Sequence, residues 1–414
     1  MTYSIAANHA KGKCATDNIF GANAAAVKAV SEVGKEKVAN ATIGAILNDQ
    51  EQLACLPAVE TAYRALTMKD VVPYAPIAGL PSYLEAATAL TFEDHKPDGY
   101  MDAIATSGGS GVIHHTIWNY SEMGDTVLTS DWYWGPYNVL CKDMLRKLDT
   151  FTLFDDKLQF NLAAFETKVK EVLAKQKNLI IIINSPAHNP TGYSLTNDEW
   201  QNVLTCLKEM AKDPDKNIIL LVDIAYIDYA GEKNETRSFM SLFGGLPKNI
   251  LTVFGFSMSK GYTMYGQRVG AMIGLSSDKG VIQEFVDVNQ YTSRATWSNI
   301  NRSAMQMLAN IYSDKSLLAQ VETERTALYH MIRDRADLFM AEAKEAGLYM
   351  LPYRAGFFLT IPAKDAQQAC ELLKNDYIFG VPMAKGIRIA VCAVPKGKMV
   401  GMAAKIAKAV KASE

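Results

Sequence analysis

Four apolar runs, each ending abruptly in a polar cluster, constrain this chain more than any other feature. Residues 101–106 give way to Ser107-Gly108-Gly109-Ser110-Gly111. Residues 179–183 give way to Asn184-Ser185-Pro186-Ala187-His188-Asn189-Pro190-Thr191-Gly192. Residues 218–222 close on Asp223-Ile224-Ala225-Tyr226, and residues 251–256 on Ser257-Met258-Ser259-Lys260-Gly261-Tyr262. Further strand-like runs cover residues 125–129, 150–154 and 269–275, with helical stretches over 112–120, 162–175 and 198–211. Such alternation predicts an α/β domain built on a mainly parallel mixed sheet sandwiched by helices. In sheets of that kind the ligand crevice lies beyond the carboxyl ends of the strands, where these four clusters fall.

After Asn299 the pattern changes to two helical stretches, the second over 317–346. A strand near 356–360, a helix near 366–375, a strand over 387–394 and a closing amphipathic helix follow. This reads as a smaller α+β domain. It is joined by the N-terminal segment, with its Ala/Val helix over 22–33 and the extended piece ending at Gly44. The expected division is a large domain over 53–304 and a small one from 1–52 and 305–414, as suits 414 residues.

Composition excludes several classes. A net charge of −2 offers no basic surface for nucleic acid or acidic lipid. No apolar run reaches the roughly 18 residues of a spanning helix, and the first residues carry no signal-peptide core. The six cysteines are scattered without a CxxC or CxxH, so neither a disulfide frame nor a metal site is expected. A cytoplasmic protein with reduced thiols follows.

The clusters carry chemistry. Lys260 sits among hydroxyls and glycines between two apolar strands. Burial there would favour its neutral amine, the form that attacks a carbonyl and holds it as a Schiff base. A solvated lysine in a surface turn would carry the same letters. Ser257, Ser259 and Arg268 could supply donors to a phosphate, the arginine as a bidentate fork. The Ser107–Gly111 stretch suits either a phosphate cradle at a helix N-terminus or a tight turn. Asn189, in a proline-locked turn, and Tyr226 could donate to one ring oxygen. Asp223 ends a fully apolar strand, where a carboxylate needs a partner: a pyridinium N–H, or the backbone of a helix start.

Together these residues resemble the fold-type I pyridoxal-phosphate enzymes of the class I/II aminotransferase family, nearest its aspartate and aromatic members. The resemblance covers residues 43–388. It implies that Lys260 is the Schiff-base lysine, Arg268 the phosphate arginine, and Ser257, Gly109, Ser110 and Gly111 part of the phosphate site. Asn189 and Tyr226 would bond the cofactor's phenolic oxygen, Asp223 its ring nitrogen, and Trp134 would stack on its face. Arg388, near Gly44, would bind the substrate α-carboxylate. Tyr74 would reach the neighbouring subunit's phosphate in a homodimer with shared active sites. The segment Ser293-Arg294-Ala295-Thr296-Trp297-Ser298-Asn299 resembles the one that sends an arginine across the interface to a distal carboxylate. Arg294 would then be that residue and Ser298 a phosphate contact. Trp297 departs from the family's tyrosine. The implied activity is transfer of an α-amino group between an aspartate-, glutamate- or aromatic-type amino acid and a 2-oxo acid such as 2-oxoglutarate. A C–S β-lyase on the same scaffold is the alternative.

Overall fold

The structure is a computed structural model that describes residues 5–14 and 18–414. Seven strands form one sheet: β1 (Tyr100–Thr106), β2 (Thr126–Ser130), β3 (Lys147–Phe151), β4 (Asn178–Asn184), β5 (Asn217–Asp223), β6 (Ile250–Ser257) and β7 (Gly270–Ser276). Their spatial order is β1-β7-β6-β5-β4-β2-β3. β2 to β6 run parallel, and β7 alone opposes both of its neighbours. The mainly parallel mixed sheet expected from the alternation is what forms.

Its central strands are apolar without a break because both faces are covered. Leu179, Ile181, Ile183, Leu220 and Val222 pack into one core, while Ile180, Ile182, Ile219 and Leu221 pack into the core on the other face. β3 begins three residues earlier than the expected 150–154, because its register aligns Lys147 with Thr126 and Phe151 with Ser130. Phe154 lies beyond the strand, where its backbone forms an isolated bridge with Phe160.

The chain ends build a second layer. Ala39–Asn40, which follows helix α1 (Asn18–Val33), pairs in parallel with Ile378–Phe379. β8 (Phe358–Pro362), β9 (Val381–Met383) and β10 (Gly386–Ala390) form an antiparallel sheet in the order β9-β10-β8. The strand expected over 387–394 stops at Ala390, opposite Phe358 at the start of β8, and Val391–Ala393 turn into a 3₁₀ helix. Met305, Leu308 and Ile311, on the small-domain side of the expected division, share the core of the large sheet. The long helix Lys315–Glu345 touches both cores, through Val321 at one end and Ile332 and Phe339 at the other. Among the described residues no helix is long and apolar enough to cross a membrane.

Candidate active site

The carboxyl ends of β1, β4, β5 and β6 open on a cavity of about 280 Å³, and the four polar clusters supply its walls: Gly109 and Ser110, Asn184 and Asn189, Asp223 and Tyr226, Ser257 and Lys260. Gly44 and Arg388 close it from the layer that the chain ends build, and Trp134 also lines it.

Lys260 lies in the helical turn Met258–Gly261 that follows β6; Ser257 caps that turn by accepting from the Ser259 amide. Its Nζ donates to the Gly44 carbonyl at 2.6 Å and lies 4.7 Å from the centre of the Tyr265 ring. Burial, helped by the charges of Arg388 and Arg268, brings the amine down from 10.5 to about 8. The neutral form is then a minority species near physiological pH, and with Nζ bonded to Gly44 inside the cavity the solvated surface lysine is not what forms. A Cβ on Gly44 would stand 2.7 Å from the Phe358 ring, so this approach to the lysine needs glycine.

The Ser107–Gly111 stretch is not a loop ahead of a helix. Gly108–Gly111 are the first turn of helix α2 (Gly108–Tyr120), with Ser107 as its N-cap residue. The N–H groups of a first helical turn have no partner within the helix, and the helix dipole adds positive potential there. Gly108 adopts φ +64°, and a Cβ on it would lie 2.7 Å from Arg268 Nη2, so glycine lets the guanidinium pack against the turn. Arg268 donates to Ser259 Oγ at 3.3 Å and to the Tyr265 carbonyl at 3.1 Å. At φ +54° it is a non-glycine residue in the left-handed region, held there by its surroundings. Gly111 is turned away: a Cβ on it would meet Thr106 and Trp297 at 3.0 Å, and it does not line the cavity.

Asp223 accepts from the Tyr137 hydroxyl at 2.6 Å and from the Ala225 amide at 3.1 Å. Burial raises its carboxyl above the usual range against those two bonds, and no cation of the described residues offsets it. Tyr137 belongs to helix α3 (Pro136–Asp143) and meets Trp134 edge-to-face at 5.6 Å. Asn184 staples the neighbouring strand ends by donating to the Asp223 carbonyl at 2.8 Å and accepting from the Asn189 amide at 2.7 Å. Asn189 Nδ2 donates to the Tyr226 hydroxyl at 3.2 Å, so these two side chains do share one spot. Arg388, in β10, donates to the Thr42 carbonyl at 2.8 Å and to Asn189 Oδ1 at 3.3 Å, and stacks on Phe358 at 4.3 Å.

Three features fit pyridoxal phosphate. An amine of lowered basicity suits its aldehyde, a helix N-terminus with two serines and an arginine suits its phosphate, and a buried carboxylate lacking a cation suits its ring nitrogen.

Tyr74, Arg294 and Ser298 are not brought into the cavity of their own chain. Tyr74 is 90% exposed on its loop. Arg294 is exposed near the end of the helix Lys279–Thr296, and its guanidinium donates to Ser298 Oγ. Sequence reasoning missed Tyr137, Tyr265, Ile19 and Phe358, all near or within the site. Two signals were at hand, the aromatic crowding of residues 132–137 and the place of Tyr265 between Lys260 and Arg268; Ile19 and Phe358 reach the cavity only through the tertiary fold.

Residues 36–406 match the family model described as aminotransferase class I and II. The aromatic-amino-acid aminotransferase of Escherichia coli is 27% identical over 341 residues, covering 78% of this chain and 81% of that protein. A solved aminotransferase from Anaerococcus prevotii superposes with a TM-score of 0.96 at 37% identity, over 99% of this chain and 100% of its own. The aromatic-amino-acid aminotransferase from Burkholderia pseudomallei, solved covalently bound to pyridoxal phosphate, shares the fold. Its TM-score is 0.80 at 20% identity, covering 98% and 100% of the two chains. With the match running through every cluster around Lys260, this chain belongs to the class I and II aminotransferases.

Proposed function

We propose that the protein is a pyridoxal-phosphate-dependent transaminase that moves the α-amino group between an L-amino acid of the aspartate, glutamate or aromatic type and a 2-oxo acid such as 2-oxoglutarate. The observation that carries this reading is the buried Lys260 amine sharing one cavity with Asp223, a carboxylate without a cation of its own. When bound, the cofactor supplies the electron sink that lets the substrate's α-proton leave.

The chain's own residues divide the remaining work. Lys260 would hold the cofactor covalently, and its Nζ is the group placed to take the substrate's α-proton and return it, as base and then acid. Asp223 keeps the ring nitrogen protonated. Asn189 and Tyr226 hold the phenolic oxygen, and Trp134 covers the ring face. Ser110, Ser257, Arg268 and the first turn of α2 hold the phosphate. Arg388 forks onto the substrate α-carboxylate and fixes the direction of the Cα–H bond. The active unit is a homodimer in the cytoplasm. Tyr74, Arg294 and Ser298, which stand outside their own cavity, complete the partner's. Arg294 meets a distal carboxylate and swings away for an aromatic side chain.

The test is to load purified protein with the cofactor and add single amino acids, following the loss of its absorbance band, then add 2-oxo acids and look for its return. Recovery with 2-oxo acids supports the reading. Release of ammonia and pyruvate from cysteine conjugates, without recovery, would replace transamination by a lyase activity.

A further inference from the structure

A second cavity, of about 500 Å³, lies between the 3₁₀ helix Ile227–Tyr229 and the long helix Lys315–Glu345. That volume falls within the range of small-molecule sites. Its floor is a buried charge cluster. Asp228 receives Arg237 at 2.8 Å and Arg325 at 3.3 Å, and both arginines are more than nine-tenths buried.

The accounting of these charges is uneven. Arg237 spends its donors on the Leu90, Thr91 and Lys233 carbonyls besides Asp228. Glu322 is taken by Lys233 at 2.7 Å, and Glu232 by the amides of Asn234 and Glu235. Arg325 carries five N–H donors. They engage Asp228 and the Tyr262 hydroxyl, whose ring lies 5.7 Å below the guanidinium. Each acid on the wall therefore has a donor, Glu322 and Glu232 through one oxygen apiece, whereas Arg325, unlike Arg237, has no main-chain carbonyl as partner among the described residues. An anion entering here would find the Arg325 fork. Thr326 and His330, one and five residues beyond Arg325 on the same helix, add donors at the rim.

The cluster also backs the active site. A Cβ on Gly261 would fall 2.0 Å from Asp228 Oδ2, so the carboxylate sits against the turn that carries Lys260, and Tyr262 is the next residue.

We propose that this cavity is a second ligand site, for a small anion of the carboxylate or phosphate class, held by Arg325 on the far side of the Lys260 turn. None of its residues takes part in the reading given for the first cavity.

The test is calorimetric titration of the intact protein with succinate and, separately, with inorganic phosphate. Arg325→Gln removes the fork. Thr326→Tyr fills the rim from an exposed position and leaves the Asp228 cluster alone. Saturable binding of either anion, weakened roughly tenfold or more by both variants, is expected from the loss of a charge-assisted contact. Succinate alone would identify a carboxylate site and phosphate alone a phosphate site. If Arg325→Gln does not fold, Thr326→Tyr decides. The proposal is overturned if neither anion binds at about 10 mM, a concentration that would detect even a millimolar site. It is equally overturned if Thr326→Tyr leaves binding unchanged, or if the signal vanishes only in Arg388→Leu, which would assign it to the first cavity.

Discussion

Tyr137→Phe removes one oxygen atom, and the structure says what that atom does. The hydroxyl is fully buried, 2.6 Å from Asp223 Oδ2, and the carboxylate's other protein partner is the Ala225 amide on Oδ1. A hydrogen bond to a charged group is worth about 1.5–3 kcal/mol, and truncation leaves one buried acceptor short. The ring itself stays, so its edge contact with Trp134 is preserved. Burial already pushes Asp223 toward its neutral form, and losing Tyr137 pushes it further, weakening its hold on a protonated ring nitrogen. We expect the rate of the first half-reaction to fall roughly 10- to 150-fold, the range corresponding to that energy. The assay is single-turnover kinetics on Tyr137→Phe, Asp223→Asn and the double variant. In the Asp223→Asn background the acceptor is neutral and the bond about half as strong, so the Tyr137→Phe cost should shrink by roughly 3- to 12-fold. An equal cost in both backgrounds would show that Tyr137 acts through packing, and the electrostatic argument would fall.

Labelling of Lys260 by an amine-reactive reagent in cofactor-free protein should titrate with a midpoint of about 8, with reactivity gained as pH rises because the neutral amine reacts; a midpoint at the ordinary lysine value of 10.5 would contradict its burial. Lys260→Ala should lose turnover by several orders of magnitude while still binding cofactor noncovalently, and borohydride fixation to any other lysine would refute the assignment. Arg294→Leu should lower kcat/KM for aspartate by about 3–5 kcal/mol in transition-state terms, roughly two to four powers of ten, and change phenylalanine far less. Parallel losses would make Arg294 a structural residue. Gly261→Ala places a methyl group against the Asp228 carboxylate and should cost about 1–3 kcal/mol of stability, read by denaturant unfolding; a neutral result would mean that the charge cluster yields freely.

Much of this site was readable from the sequence, for a physical reason. A fully buried parallel strand must be apolar along its length, so polar residues collect where it ends, and that end is where such a sheet binds ligands. Asp223 stands out because it follows an apolar run immediately, and Lys260, Asn189 and Tyr226 because they lie in the short polar clusters that such runs give way to. Local pattern also set the element types, though not the register: nothing in residues 147–154 says that Lys147 pairs with Thr126.

The tertiary structure decided what depends on residues far apart in the chain. Gly44 meets Lys260 across 216 positions, and Thr42 meets Arg388 across 346. Tyr137 meets Asp223 across 86, with no periodicity to mark it. Gly111, within the same short motif as Gly109, faces Trp297 because two residues along a helix turn the direction by about half a turn. Composition and strand endings follow from burial, which each residue carries in its own chemistry. The partner of a side chain follows from topology, and only the folded chain specifies it.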